Sequence, residues 1–420
     1  MSKLKVLILT WEIYPLYSGG LGYLVRHVVN ELRNQQIEVT VVLPQIPNGM
    51  EIPDVVNLQR ETRRYLRDKV KVPGLKFDLE FFQKEGGQGT KSWPKLFSAK
   101  QKKSKSYNLY PNNMPLMTQA WAMAVGDYVQ QNQDFDIVIG MDWHTIPAFY
   151  RLKDLRPNLP FIFYVNASEF DRFPEGKLSS TSKSIASLEK LYYPQADGIV
   201  AISEVSKESL VTMSDVPEEK IEVVYDDLDF KPDKEGIKAL TKGKNVLFVG
   251  RVENQKGLPF LIDTADRIRQ IDSQVKFIIA GDGNNMPSVI DSIAERELER
   301  NVLIIGWVND QEKKMLYSSS DLFVMPSPIE PFGLTPLEAI RSDLPVIASK
   351  KSGFVGVVPS TPTFDYYDTN HFVEMILYYL NNPEESAKLL KQQKLELADH
   401  SWVKQVESLV QFMVKLRNSN

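Results

Sequence analysis

The chain has 420 residues, enough for two domains of about 200 residues each rather than one core. A formal net charge of -4 argues against nucleic acid as the main partner, and the absence of cysteine excludes disulfides and thiolate chemistry. Hydrophobic residues at 43% can fill real cores, but the first apolar run, Val6–Thr10, breaks at Glu12 and no stretch reaches the roughly 18–20 residues of a membrane span, so the expectation is a cytoplasmic protein. In chain order, Lys5–Thr10, Glu38–Pro44, Asp136–Gly140, Phe161–Val165, Gly198–Ser203 and Ile221–Tyr225 read as buried strands. A second series follows: Asn245–Gly250, Lys276–Gly281, Val302–Gly306, Leu322–Pro326 and Pro345–Lys350. Amphipathic helices lie between them. Gly22–Arg33 places Leu24, Val25, Val28, Val29 and Leu32 on one face, and Gly257–Gln270 is another. Strands apolar on both faces, separated by helices, imply parallel sheets covered on both sides.

The charged segment Phe230–Lys244 lacks a strand pattern and reads as the linker between two α/β domains, 1–230 and 231–400. Ser401–Leu416 carries Trp402, Val406, Leu409, Val410, Met413 and Leu416 at helical spacing, as a terminal helix packing back on the first domain would. Six lysines between Lys91 and Lys105, with Trp93, Leu96 and Phe97 among them, fit either a solvated loop or a peripheral patch for an anionic membrane surface or acceptor.

Four segments could carry chemistry. Gly19, Gly20 and Gly22 follow the first strand and open a helix, where backbone N–H groups face an anion; their spacing is not the dinucleotide fingerprint. Arg251 and Lys256 lie on the loop after the first strand of the second series, suited to a diphosphate. In Glu330-Pro-Phe-Gly-Leu-Thr-Pro-Leu-Glu338 seven residues separate two carboxylates. Thr335 there looks like an N-cap with Pro336 at the first helical position. Glu338 then reads either as the far end of a capping box or as a ligand for sugar or ribose hydroxyls. Asp142-Trp143-His144 and Asn166-Ala167-Ser168-Glu169 each follow a strand and face the same edge. His27, His371 and His400 read as structural, and Asp226-Asp227-Leu228-Asp229 as a solvated turn rather than a metal site.

Together LTWEIYPLYSGGLG, MDWHT, VAIS, GRVENQKG, AGDG, LIIGWV and MPSPIEPFGLTPLEAI, in that order from about Lys5 to Val358, resemble glycosyltransferase family 4 and the neighbouring bacterial glycogen and starch synthases. The resemblance implies the GT-B architecture: two facing Rossmann-like domains, the donor mainly on the second and the acceptor mainly on the first. It also implies retaining transfer without a metal or other cofactor, the departing diphosphate helping to deprotonate the acceptor. It assigns Arg251 and Lys256 to the diphosphate, Glu330 to the donor sugar, Glu338 to the ribose and Gly20 to a loop closing over the phosphates. Phe332, Gly333, Leu334 and Thr335 would line the sugar and phosphate pocket, Trp307 and Val308 the base. Asp142 and Asn166 would stand beside the reacting sugar.

Departures fall mainly on the first domain. Asn166 stands where the family usually has histidine, Met141 replaces the histidine before Asp142, and no Lys or Arg lies in the Ser18 loop. Asp226-Asp227 replaces an Asn-Gly, and in the second domain Ser342-Asp343 replaces a small-Gly turn. These changes point away from glycogen synthesis. The sequence therefore implies a hexosyltransferase acting from a nucleotide sugar onto a carbohydrate or lipid-linked acceptor. The alternatives are a nucleotide-binding protein without turnover and a nucleotide-sugar epimerase.

Overall fold

The computed structural model describes residues 3–16, 20–47, 50–68, 72–75, 114–132, 134–172, 179–227, 230, 232 and 243–419. Gly19, the lysine-rich segment 91–105 and most of the expected linker lie outside these residues. Two wholly parallel sheets form. The first contains β1 (Lys5–Leu9), β2 (Glu38–Leu43), β3 (Val55–Asn57), β4 (Ile137–Met141), β5 (Phe161–Val165), β6 (Gly198–Ala201) and β7 (Ile221–Val223), in spatial order 3-2-1-4-5-6-7. The second contains β8 (Lys244–Val249), β9 (Val275–Ala280), β10 (Val302–Gly306), β11 (Leu322–Met325), β12 (Val346–Ser349) and β13 (Thr363–Phe364), in order 10-9-8-11-12-13.

Both sheets run outward in two directions from their first strand, so each has a switch point beside it, between β1 and β4 and between β8 and β11. Loops leaving the carboxyl ends of strands at such a point form a natural ligand crevice. The central strands are unbroken apolar runs: β4, β5 and β6 are buried along their whole length, as strands covered on both faces must be. Each fully buried Val or Leu side chain contributes about 1.5–3 kcal/mol of transfer free energy. One apolar cluster is continuous between the halves, from Val6, Ile8 and Val28 through Phe332 and Phe354 to Leu247 and Phe323.

The last helix, Trp402–Ser419, returns to the first half, as its spacing foretold. It packs on the helix Gly20–Asn34 and buries Val406, Leu409, Phe412 and Met413. The Trp402 and His27 rings stack with centroids 5.6 Å apart. Gly198 admits Phe412 against the start of β6, where a Cβ would crowd its ring.

Two expectations are corrected. The helix of the paired glutamates is Leu334–Arg341, opened by Gly333 at φ 97°, so Thr335 is not its N-cap nor Pro336 its first residue. Asp226 and Asp227 are buried rather than a solvated turn. Asp227 accepts from Arg341 Nη2 at 2.7 Å, and the Asp226 carbonyl lies 2.8 Å from His400 Nε2. Long-range partners override the local polarity of that run.

Candidate active site

The site builds up from the switch-point loops. In the second half, β8 ends at Val249 and the chain turns through Arg251 into the single turn Asn254–Lys256. Gly257 follows at φ 68°, where a Cβ would overlap the Pro326 carbonyl of the loop after β11. This close approach needs glycine and brings two distant segments together. Lys256 Nζ donates to Glu330 Oε2 at 2.5 Å, and Ser327 Oγ donates to the same oxygen at 3.1 Å. The Glu330 backbone is fixed as well: its N–H donates to Lys351 O at 2.8 Å, and Gly353 N–H donates to its carbonyl at 2.9 Å. Arg251, on the same loop as Lys256, is exposed.

Glu338 forms a second buried centre. Lys313 Nζ donates to Oε1 and Tyr317 OH to Oε2, both at 2.6 Å. That removes the capping-box reading of Glu338: its carboxylate is held by neighbours from the helix Asp310–Ser318. Burial, then the nearby carboxylate, pushes the Tyr317 phenol well above its ordinary pKa, so it remains a donor. Phe230 stands edge-on to Tyr317, with the ammonium groups of Lys313 and Lys314 over its ring. Trp307, 72% exposed, and half-buried Val308 follow the edge strand β10 and lead directly into that helix. The expected base and ribose positions are thus adjacent. Phe332 is buried, while Gly333, Leu334 and Thr335 are half-buried where the helix presents its first N–H groups.

On the first half, Asp142 follows β4 at φ 55° and is buried. Its Oδ1 accepts from the Asn166 backbone N–H at 2.7 Å, so these two expected site residues do meet. Burial pushes the Asp142 carboxyl up to about 6, against the pull of Arg172 and the Asn166 and Ala167 amides. His144 is buried between the Trp11 and Trp143 rings, and burial, with Arg172, pushes it down to about 3. It is therefore a neutral packing residue near neutral pH.

The two halves touch around this site. Gln255 Nε2 donates to the Asp171 carbonyl at 3.0 Å, joining the Lys256 loop to the segment after Asn166. Ser203 Oγ donates to Pro331 O at 2.5 Å. A Cβ on Gly20 would sit 3.8 Å from Leu334 Cδ1, bringing the first glycine-rich helix start against the start of the helix Leu334–Arg341. Lys313, Tyr317, Phe230, Ser327 and Gln255 were not foreseen from sequence. Only Lys313 and Tyr317, four apart on one helix, leave even a weak trace there. Among the described residues no cluster of three or more His, Asp or Glu is placed to hold a metal ion, and no helix is long and apolar enough to cross a membrane.

Comparison with known proteins accounts for both halves. Residues 5–203 match the model described as the starch synthase catalytic domain, and residues 229–396 match glycosyl transferases group 1. The uncharacterized glycosyltransferase MJ1607 of Methanocaldococcus jannaschii is 27% identical over 91% of this chain and 87% of its own. A glycogen synthase of Mycobacterium tuberculosis is 23% identical over 83% of this chain and 79% of its own. The sucrose-phosphate synthase of Thermosynechococcus elongatus superposes over all of both chains with a TM-score of 0.72 at 16% identity. The catalytic domain of Arabidopsis thaliana starch synthase IV bound to ADP and acarbose, also 16% identical, does so over 99% of this chain and 100% of its own with a TM-score of 0.63. Sheets, crevice and motifs define a GT-B glycosyltransferase that takes sugar from a nucleotide donor. The chain belongs to glycosyltransferase family 4, a retaining family related to the glycogen synthases.

Proposed function

We propose that the cleft moves a hexose, with retention, from a nucleoside diphosphate sugar to a hydroxyl of a carbohydrate or lipid-linked acceptor. The reading takes residues 1–230 as the acceptor half, 231–400 as the donor half and 401–420 as a helix returning to the first. Its main support is that Glu330 and Glu338 are both buried, and each meets a lysine from another element, Lys256 and Lys313. Buried carboxylates beside cations suit a ligand that offers hydroxyls next to phosphates.

In this reading Arg251, Lys256 and the first amides of the Leu334–Arg341 helix stabilise the negative charge that grows on the diphosphate as the glycosidic bond breaks. Glu330 accepts from hydroxyls of the donor sugar and Glu338 from those of the ribose. Trp307 and Val308 flank the base. Phe332, Gly333, Leu334 and Thr335 shape the sugar pocket, with Gly20 opposite. Asp142, held by the Asn166 amide, faces the reacting sugar from the first half. Because Asn166 uses its backbone N–H for that bond, the bond survives where the family usually has histidine. The family assignment removes the epimerase reading.

The test is a thermal-shift panel of UDP, ADP, GDP and their hexose conjugates, followed by donor hydrolysis and transfer assays on wild type, Glu330→Ala and Lys256→Ala. One nucleotide series should raise the melting temperature, and both variants should stay folded and lose turnover. Full turnover in either variant would refute the assigned roles. Nucleotide binding with neither transfer nor slow hydrolysis would favour a binding protein instead.

A further inference from the structure

The loop that carries Glu330 is held from both halves through three successive carbonyls. Glu330 O accepts from Gly353 N–H and Phe332 O from Phe354 N–H, both at 2.9 Å and both within the second half. Pro331 O, between them, is taken by the first half. Ser203 Oγ donates to it at 2.5 Å, and Ser206 Oγ lies 3.4 Å from it. Ser203 follows β6 and caps the helix Glu204–Ser214, whose Ser206 N–H donates to the same Oγ at 3.0 Å. One hydroxyl thus accepts from its own helix and gives its single hydrogen to the other half. Ser203, Ser206, Glu330, Phe332 and Phe354 are all buried, so water does not compete for these bonds. Gly353 makes the room: a Cβ there would stand 2.0 Å from Pro331 O and 2.5 Å from Ser203 Oγ. The exposed Lys351–Glu208 pair at the margin of the same seam adds little.

Pro331 is bonded directly to Glu330, and its ring locks the rotation about N–Cα, so a displacement of its carbonyl is passed to the Glu330 backbone. Resting on the assignment of Glu330 to the donor sugar, we propose that Ser203 is a positioning residue for recognition of the transferred hexose: through one hydroxyl, the first half sets where the Glu330 carboxylate stands in the second. A hydrogen bond to a carboxylate tolerates little error in distance or angle, so that setting decides whether the hexose hydroxyls are gripped. Arg251 and Lys256 stand on another loop, whose own contact with the first half is Gln255 to the Asp171 carbonyl. Recognition of the hexose is therefore separable from recognition of the diphosphate, and each loop is seated against the first half by its own bond.

Calorimetric titration of the full chain compares UDP, ADP and GDP with UDP-glucose, ADP-glucose and GDP-mannose. For the base that binds, the ratio of conjugate to diphosphate affinity measures what the hexose contributes. Ser203→Ala should lower that ratio about tenfold, the loss of one well-placed hydrogen bond to a charged group, and so should Glu330→Gln. The double variant should fall no lower than Glu330→Gln alone, because both changes act through one carboxylate. Ser203→Thr, which keeps both bonds, should retain the wild-type ratio. Ser179→Ala, which removes the cap that Ser182 N–H meets on the helix Ser180–Tyr192, should lose stability and keep the ratio. Should Ser203→Ala not fold, Ser203→Cys, of similar shape but a weak hydrogen-bond donor, takes its place. An unchanged ratio in the Ser203 variant beside a lowered one in Glu330→Gln overturns the proposal. Equal weakening of conjugate and diphosphate, or full additivity in the double variant, also overturns it. An unchanged ratio in Glu330→Gln would instead overturn the sugar assignment, and the role of Ser203 with it.

Discussion

Lys256 Nζ and Glu330 Oε2 lie 2.5 Å apart and form one partly buried ion pair, although the proposal assigns them to different parts of the donor. Substituting either residue therefore alters the other. Lys256→Met leaves a buried carboxylate without its cation and should cost about 3–5 kcal/mol of stability. Lys256→Met combined with Glu330→Gln should recover most of that loss, while Lys256→Met, Glu330→Gln and the double variant all lose transfer at least about a hundredfold. Urea unfolding alongside turnover measures both effects; simple additivity of the two stability losses would show that the pair does not couple.

Glu338 answers to two partners, Lys313 and Tyr317. In wild type, the matching nucleotide at about a hundred times its dissociation constant should add roughly 2.7 kcal/mol, a shift of a few degrees. Glu338→Gln should abolish the shift. Tyr317→Phe removes only the bond to Oε2 and should cost about 1 kcal/mol of stability while leaving the shift in place. If Tyr317→Phe abolished nucleotide binding as completely as Glu338→Gln, the ribose assignment of Glu338 would have to be given up.

Asp226 makes stability depend on pH. Burial, opposed by the Asp227 N–H and reinforced by the Asp227 charge, pushes its carboxyl from 3.8 up to about 8. Between those values the native state keeps a proton that the unfolded chain has released, so stability falls as pH rises and levels off above about 8. His144 acts oppositely, because its pKa drops from 6.5 to about 3 and the unfolded chain binds the extra proton in that interval. Asp142, raised to about 6, acts as Asp226 does but over a shorter range, and buried Glu189 is pushed in the same direction. The diagnostic is thus a difference. Asp226→Asn should be more stable than wild type at pH 8, with a shallower slope between pH 6.5 and 8, by at most about 1.4 kcal/mol per pH unit. Parallel curves from denaturant titrations would mean that Asp226 does not titrate there.

Gly257 is the backbone counterpart of these charges. Its φ of 68° and the Pro326 carbonyl beside its Cα leave no room for a methyl group. Gly257→Ala should destabilise the fold by about 2–4 kcal/mol, through strain and displacement of the loop after β11. Because Lys256 precedes it, the variant should also weaken nucleotide binding in the thermal-shift assay. Wild-type stability in Gly257→Ala would show that the loop yields without cost.

The central strands were legible because a strand buried on both faces writes an unbroken apolar run such as Phe161–Val165. β3 and β13 were not foreseen: they are edge strands of three and two residues, too short to establish a period. The helix start was misplaced because Ser/Thr-x-x-Glu has two physical uses, and the choice depends on Lys313 and Tyr317, 25 and 21 residues away in sequence. Asp226-Asp227 misled for the same reason, since Arg341 and His400, which meet it, lie 114 and 174 residues distant. The candidate residues Asp142, Glu330 and Glu338 themselves stood out, as polar groups at strand ends or paired across a glycine. Their mutual wiring did not, since it is wholly non-local.

The return of the last helix to the first half means that the chain crosses between the halves twice, once after β7 and once at His400–Ser401. The His400–Asp226 contact places these crossings side by side. A body hung from a single thread can turn in any direction, whereas one carried on two adjacent pins swings about one line only. Any turning of one half against the other must therefore pass through both crossings at once.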